Sequence, residues 1–453
     1  MMTARALRVL TAAVVAATVL STATQPSLAA VRPPKLQYQI STLPNGLTLV
    51  TSEDHSTPIV HLNLTYHVGS KNEKPGKTGF AHLFEHLMFK GSKNVLPEAH
   101  TSYVASVGGQ SNAYTTEDET VFWETVPSQY LPMILWLEAD RMATLRVDKD
   151  TFTNEREVVK EERRMRVDNQ PYGALNQIIY DQAFSSHPYK HPTIGSMADL
   201  EAASIDDVRA FYQTYYVPAN ATLTLVGDFD TTQAVSLVTQ YLGRVPKAVR
   251  EVPRDIPKEP PQTKEKRVTL QQPWPLPAVV VAYHITYDGN PDSYPLHIAA
   301  KVLSDGDSSR IHKKLIYEKQ MAVAAFGSAN LIEDPNLFYA VAIVQPGHTT
   351  DEVANTLMAE IERLKTEPIS EHELQRTKNQ FARDYILGRE TNQQKAGVLS
   401  HAVVIHNDIK TADGEFDIFQ NITLADVQRV AKTYFTPENR IVLTILPNGK
   451  AGQ

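Results

Sequence analysis

The chain has 453 residues, 42% hydrophobic and 21% charged, with a formal net charge of −7 and no cysteine. That length exceeds one ordinary core and predicts two domains of about 200 residues each. The charge becomes −9 once Arg5 and Arg8, the only charges of residues 1–29, are set aside, which excludes the basic footprint of a nucleic-acid binder. Without cysteine, histidine and carboxylate must carry any metal chemistry.

The N-terminus reads as an export signal over residues 1–29. Arg5 and Arg8 form its charged end, Val9 to Leu20 its apolar stretch, and Ser27-Leu28-Ala29 a small-x-small site for cleavage after Ala29. The apolar stretch is short for a bilayer span, so the mature protein is expected to have no stable membrane span and to work outside the cytoplasm, in a periplasm or secreted.

Strands are predicted at Leu47–Thr51 and Ile59–Val68, and a helix follows over His82-Leu83-Phe84-Glu85-His86. Its two histidines stand one turn apart, so both imidazoles can reach one ion, and the order H-x-x-E-H is that of the inverted zinc-peptidase motif. Leu83, Phe84, Leu87, Met88 and Phe89 make the helix apolar and buried, and the preceding Gly76-Lys77-Thr78-Gly79 offers a breaker and a cap. Such a helix predicts His82 and His86 as zinc ligands and Glu85 as general base, because a catalytic zinc takes three protein ligands and leaves one position to water. A third ligand is expected from the acidic helix within Thr153–Arg166. Glu155 and Glu162 share one of its faces, and spacing alone does not choose between Glu161 and Glu162. His61 and His67 read as satisfied strand residues, and the prolines at 188 and 192 argue against a helical metal pair at His187 and His191.

The chain also repeats itself. Ser204–Gly227 aligns without gaps on Thr423–Leu446, with Asp207, Val208, Thr214, Tyr215, Pro218 and Asn220 matched by Asp426, Val427, Thr433, Tyr434, Pro437 and Asn439. Each copy predicts a capped helix, a Pro-Asn turn and an apolar strand that closes its half of the chain. Between the halves, residues 251–266 are rich in proline and charge, a linker composition. Domains are therefore expected at 30–250 and 267–453, each an α+β unit with a mixed, mainly antiparallel sheet and helices packed on one side. A strand at Val279–Ile285 precedes His297, which takes the place of His82, but Ala300 and Lys301 stand where the first half has Glu85 and His86. Only the first half is expected to bind zinc, one ion per chain.

Together these motifs, with Gly108-Gly109-Gln110-Ser111-Asn112-Ala113-Tyr114-Thr115, Leu137-Glu138-Ala139-Asp140-Arg141-Met142 and His187-Pro188-Tyr189 leading to Ile194-Gly195, resemble the pitrilysin or insulinase family of zinc peptidases. The two-domain build is similar to bacterial relatives of the mitochondrial processing peptidase. The resemblance selects Glu162, 76 residues after His86, as third ligand and Glu155 as a supporting carboxylate. It implies that Asn112 and Ala113 lie on an edge strand to which a peptide substrate adds, and that Arg310 and Tyr317, seven apart, grip the peptide's carbonyls. In longer family members that pair comes from a different part of the chain than the zinc. The resemblance thus implies a dimer, homodimeric or with a sister chain, that encloses unstructured peptides like a clamshell. A non-catalytic scaffold or partner subunit is the competing class, and the intact set of His82, Glu85, His86 and Glu162 argues against it.

Overall fold

The computed structural model describes residues 32–448, and the expected signal segment with its cleavage site lies outside them. From Leu36 on, the chain forms one compact unit built on two sheets. The first holds β1 (Gln39–Thr42), β2 (Thr48–Glu53), β3 (Ile59–Tyr66), β4 (Gln110–Thr115), β5 (Thr120–Pro127) and β6 (Ala221–Gly227) in the order β1-β2-β6-β3-β5-β4. The second holds β7 (Lys266–Gln272), β8 (Ala278–His284), β9 (Ala322–Ala329), β10 (Leu337–Val344) and β11 (Arg440–Pro447) in the order β7-β11-β8-β10-β9. Leaving β1 aside, the two orders correspond strand for strand. In each sheet one outer pair is parallel, β2 with β6 and β7 with β11, and the remaining pairs are antiparallel.

The helices that position the site are α1 (Phe80–Leu87), α2 (Lys149–Arg163), α3 (Leu175–Ala183), α4 (Ile205–Tyr215), α5 (Ser293–Ser304), α6 (Glu371–Leu387), α7 (Asn392–Val404) and α8 (Leu424–Tyr434). The aligned repeats are α4-β6 and α8-β11, and they agree down to single hydrogen bonds. The Ser204 and Thr423 hydroxyls accept from the backbone N–H of Asp207 and Asp426, both at 3.2 Å. After each helix an asparagine amide turns back onto the last helical carbonyl, Asn220 to Tyr215 at 2.8 Å and Asn439 to Tyr434 at 2.7 Å. The same amides also donate to the carbonyls of His67 and His284, residues at matching strand ends.

Strand alternation shows where the cores lie. On β3, Val60, Leu62, Leu64 and Tyr66 enter the first core, while His61 on the other face donates and accepts with Thr125 and Asn63, each at 2.7 Å. On β8 both faces are apolar, Val279, Val281 and Tyr283 on one side and Ala278, Val280 and Ala282 on the other. Own-half helices cover one face of each sheet, as the α+β reading expects. The second face takes a helix from the opposite half, a feature absent from the sequence expectation. Helix α3 and the residue after it put Leu175, Ile179 and Phe184 against Val280, Leu337, Val341 and Leu443, and α7 puts Ala396, Leu399 and Ala402 against Val50 and Val226. This exchange explains the continuous apolar run of β8, since a strand covered on both sides loses its polar alternation.

The halves also meet through charge. Lys71, 4% exposed, contacts Asp118 at 2.9 Å, Glu333 at 2.7 Å and Asp334 at 3.1 Å. Residues 251–265 form neither helix nor strand, and Glu259 there accepts the backbone N–H groups of Ser185, Ser186 and His187.

Candidate active site

Helix α1 begins from Gly79, whose φ of +90° is a left-handed value that glycine alone adopts without penalty. A Cβ there would meet the Ile194 carbonyl at 2.8 Å, so the position is closed to larger residues on two grounds. The expected cap within residues 76–79 does not form. Instead the buried carboxylate of Glu73 accepts the N–H groups of Gly79 at 2.8 Å and Ala81 at 2.7 Å. A carboxyl cap from outside the helix satisfies its first donors and sets its direction. Leu83, Phe84 and Leu87 bury the opposite face, leaving His82, Glu85 and His86 along the open side.

Helix α2 packs across α1 and brings its last turn to the histidines. Glu162 Oε2 lies 3.3 Å from His86 Nε2 and 3.7 Å from His82 Nε2. These separations exceed good hydrogen bonds, yet they match the edge of a tetrahedron drawn with metal–ligand bonds near 2.1 Å, about 3.4 Å. Two imidazoles and one carboxylate, with donor atoms within 4.8 Å of one another, are a fitting set for a catalytic zinc with an open position. Glu161 instead pairs with Arg164 at 2.8 Å on the outer surface, and Glu157 pairs with Lys160. A widened turn over Arg164–Asp168 follows α2 directly, and Arg166 from it reaches Glu162 Oε1 at 2.6 Å.

Glu155, two turns back along α2, stands 3.6 Å from His86 Nδ1 and 3.2 Å from Lys90. Burial works against the charged form of His86, but the carboxylates of Glu155 and Glu162 outweigh it and hold its pKa up at about 9. His82, which has less compensation, is drawn down to about 4, mainly by burial and then by repulsion from His86. Glu85 is pushed up by burial and partly restrained by the Thr115 hydroxyl, which donates to Oε2 at 2.7 Å. A carboxylate raised toward neutrality is a stronger proton acceptor than a free one.

The open side of α1 faces a cleft of about 490 Å³ lined also by Asn112, Ala113, Tyr114 and Thr115 of β4. Strand β4 is the last of its sheet and pairs only with β5, so its outer backbone groups face the cleft unpaired by any strand. Arg310 and Tyr317 do not line it. Nor do they share one regular helical face: Arg310–His312 is a single α turn that widens over Lys313–Glu318. Arg310 turns inward and is held in a two-pronged pair by Glu373 at 2.8 and 2.9 Å, whereas Tyr317 is 60% exposed against the His312 ring. Thr115, Arg166 and the Glu73 cap were not singled out from the sequence.

Two further groupings are of other kinds. His100, Glu124 and Glu138 converge in the interior, but the Arg141 guanidinium sits among them, 3.3 Å from Glu124 and paired with Glu138, so this is a structural charge cluster. His191 lies 3.7 Å from Glu73 and His187 3.5 Å from Asp334, and they do not converge on a common point with a third donor among the described residues.

Comparison with known proteins gives the same outline. Residues 48–197 match the family model described as insulinase (Peptidase family M16), and residues 202–381 match that described as Peptidase M16 inactive domain. The chain is 30% identical over 414 residues to the zinc protease PqqE of Helicobacter pylori, covering 91% of this chain and 93% of that one. The crystal structure of a protease from Helicobacter pylori superposes with a TM-score of 0.87 at 30% identity, over 91% of this chain and 100% of that one. In fold alone, the first half of the periplasmic protease PqqL from Escherichia coli is similar at TM-score 0.74 and 19% identity, over 93% and 94% of the two chains. Against the whole of PqqL, the chain spans 48% of its length.

Proposed function

Since the chain belongs to the insulinase family of peptidases, M16, we propose that it is an exported zinc endopeptidase in which His82, His86 and Glu162 hold one zinc ion and Glu85 is the general base. The observation that carries this reading is the convergence of the three donors beside Glu85 in a cleft bordered by a free strand edge. Zinc in such a site supplies a Lewis acid for a carbonyl and a water whose pKa is lowered to about 7.

The protein's own groups do the rest. The outer edge of β4, around Asn112 and Ala113, pairs with an extended peptide through main-chain hydrogen bonds, which demands an unfolded segment and little of its sequence. Glu85, fixed by Thr115, takes the proton of the attacking water and returns it to the leaving amine. Glu155 orients His86 through its outer nitrogen. Arg310 and Tyr317 lie outside this cleft, so their role as carbonyl grips calls for a second chain facing the first, a homodimer or a pair with a sister chain. The half-length match to PqqL fits that reading, because two such chains reach the length of that one. No described helix is long and apolar enough to cross a membrane, which fits release after signal cleavage, to a periplasm or beyond the cell.

The test is hydrolysis of a quenched unstructured peptide of about 20 residues, long enough to span a chamber at roughly 3.3 Å per residue, by the mature protein and by Glu85→Gln, each with its zinc content measured. The reading expects cleavage by the parent protein and its loss in a variant that still holds zinc at the same site. Bound zinc with no cleavage by either protein points to a missing partner chain. Absence of both moves the protein to the scaffold class.

A further inference from the structure

A second constellation of metal-binding side chains lies in the second half, on the loop after β8 and the C-terminal end of α7. Asp288 Oδ2 is 2.8 Å from His401 Nε2 and 3.0 Å from His406 Nε2, and the three donor atoms lie within 4.8 Å of one another. The hydrogens at this point can be counted. The Thr411 hydroxyl is 2.8 Å from the carbonyl of Asp408, a contact that consumes its single hydrogen. It is also 2.8 Å from His406 Nδ1, so there it must accept, and Nδ1 must carry the ring's proton. A neutral His406 then turns a bare Nε2 lone pair toward the lone pairs of the Asp288 carboxylate. Two acceptors do not approach to 3.0 Å without a cation between them, either a proton or a metal ion.

The surroundings favour a metal. An outer N–H fixed by a hydroxyl is the arrangement that aims an imidazole's other nitrogen at an ion. Glu119, on the turn joining β4 to β5, has a buried carboxylate oxygen without a hydrogen-bond partner, and His401 is its foremost charged neighbour. The carboxyl group of Glu415 stands beside the same three residues. His401 is 45% exposed on its side chain, so water can complete the coordination.

We propose that Asp288, His401 and His406 form a second divalent-cation site; its imidazole and carboxylate donors suit a first-row transition metal, and their 2.8 and 3.0 Å separations lie nearer an octahedral edge, about 3.0 Å, than a tetrahedral one. The ion fastens the loop after β8 to the end of α7, the helix that the second half lends to the first sheet, and its charge offsets Glu119 behind the strand that borders the cleft.

The mature full-length chain is stripped with chelator, titrated with zinc, and its bound metal counted. Two ions per chain are expected, and one per chain in His82→Ala/His86→Ala, whose melting temperature should still rise on zinc addition. Adding His406→Gln should remove the remaining ion and that rise. Should either variant fail to fold, the parent protein is titrated with cobalt, where two stoichiometric steps are expected against one if the site does not exist. Folded His82→Ala/His86→Ala protein that binds less than a tenth of an ion per chain overturns the proposal and leaves Asp288 joined to His401 and His406 by hydrogen bonds alone.

Discussion

The two halves share a strand order, a helix crossing and a repeated hydrogen bond, yet they put opposite chemistry at the same place. In the first, α1 presents His82, Glu85 and His86 to the last turn of α2. In the second, α5 presents His297, Ala300 and Lys301 to α6, packed against it as α2 is against α1. There the His297 ring lies edge-on to Phe419 and Phe381, burial holds its pKa down at about 4, and Lys301 pairs with Asp305 and Asp384. The lesson is that the fold supplies two equivalent crossings, while ligand identity at a few positions decides whether a crossing binds a metal or becomes core. A histidine in the right place becomes packing once its carboxylate partner is replaced by an aromatic ring.

Several measurements would break or sharpen this contrast. Glu162→Gln should release the zinc and abolish hydrolysis, a loss of more than about 100-fold, since even supporting residues cost 10–100-fold. Asp384→Asn, which removes a carboxylate from the second crossing, should leave zinc content unchanged, and metal analysis of the two proteins side by side checks both. Next comes the joint between the halves. Lys71→Met leaves the carboxylates of Asp118, Glu333 and Asp334 without their buried cation and should cost about 3–5 kcal/mol in urea unfolding.

The same joint has a pH signature. Burial opposes the Asp334 charge, but His187 and Lys71 prevail and hold its pKa down at about 2, below the ordinary 3.8. A depressed carboxylate contributes its stability above the unfolded value and loses it as pH falls from near 4 toward 2. Acid unfolding of the parent protein should therefore steepen in that window, and the steepening should shrink in Asp334→Asn. Smaller still, Glu155→Gln should weaken zinc binding about 10–100-fold by freeing the outer nitrogen of His86, read by competition with a chromophoric chelator. Smallest is Glu73→Gln, which weakens the cap of α1 and should lower stability by about 1 kcal/mol with the zinc still bound.

The parts of this arrangement legible in the sequence were those that repeat or that lie close together in it. His82, Glu85 and His86 declare themselves because a helix brings positions one turn apart together, and Asn220 and Asn439 because the chain copies itself. Helical periodicity alone left Glu161 and Glu162 unresolved. The choice depends on how α2 is rotated against α1, a tertiary quantity that resemblance supplied and the ion pair of Glu161 with Arg164 now makes visible. Glu73, Thr115 and Arg166 were missed because each acts through a contact that no local pattern encodes. The apolar run of β8 did signal burial on both faces, but not that the covering helix would come from the other half.

That exchange of helices bears on the order in which the protein can assemble. When the ribosome has finished the first sheet at Gly227, one face of it still waits for Leu399 and Ala402, and α3 has as yet no strand to rest on. The face of the first sheet that α7 covers cannot close before residue 404 or so has emerged, whereas the other face packs on residues between Leu43 and Val245 alone, so full burial of the first sheet is a late step made by contacts distant in sequence. Unfolding should show a single transition across both halves, because detaching either one strips a helix from the other.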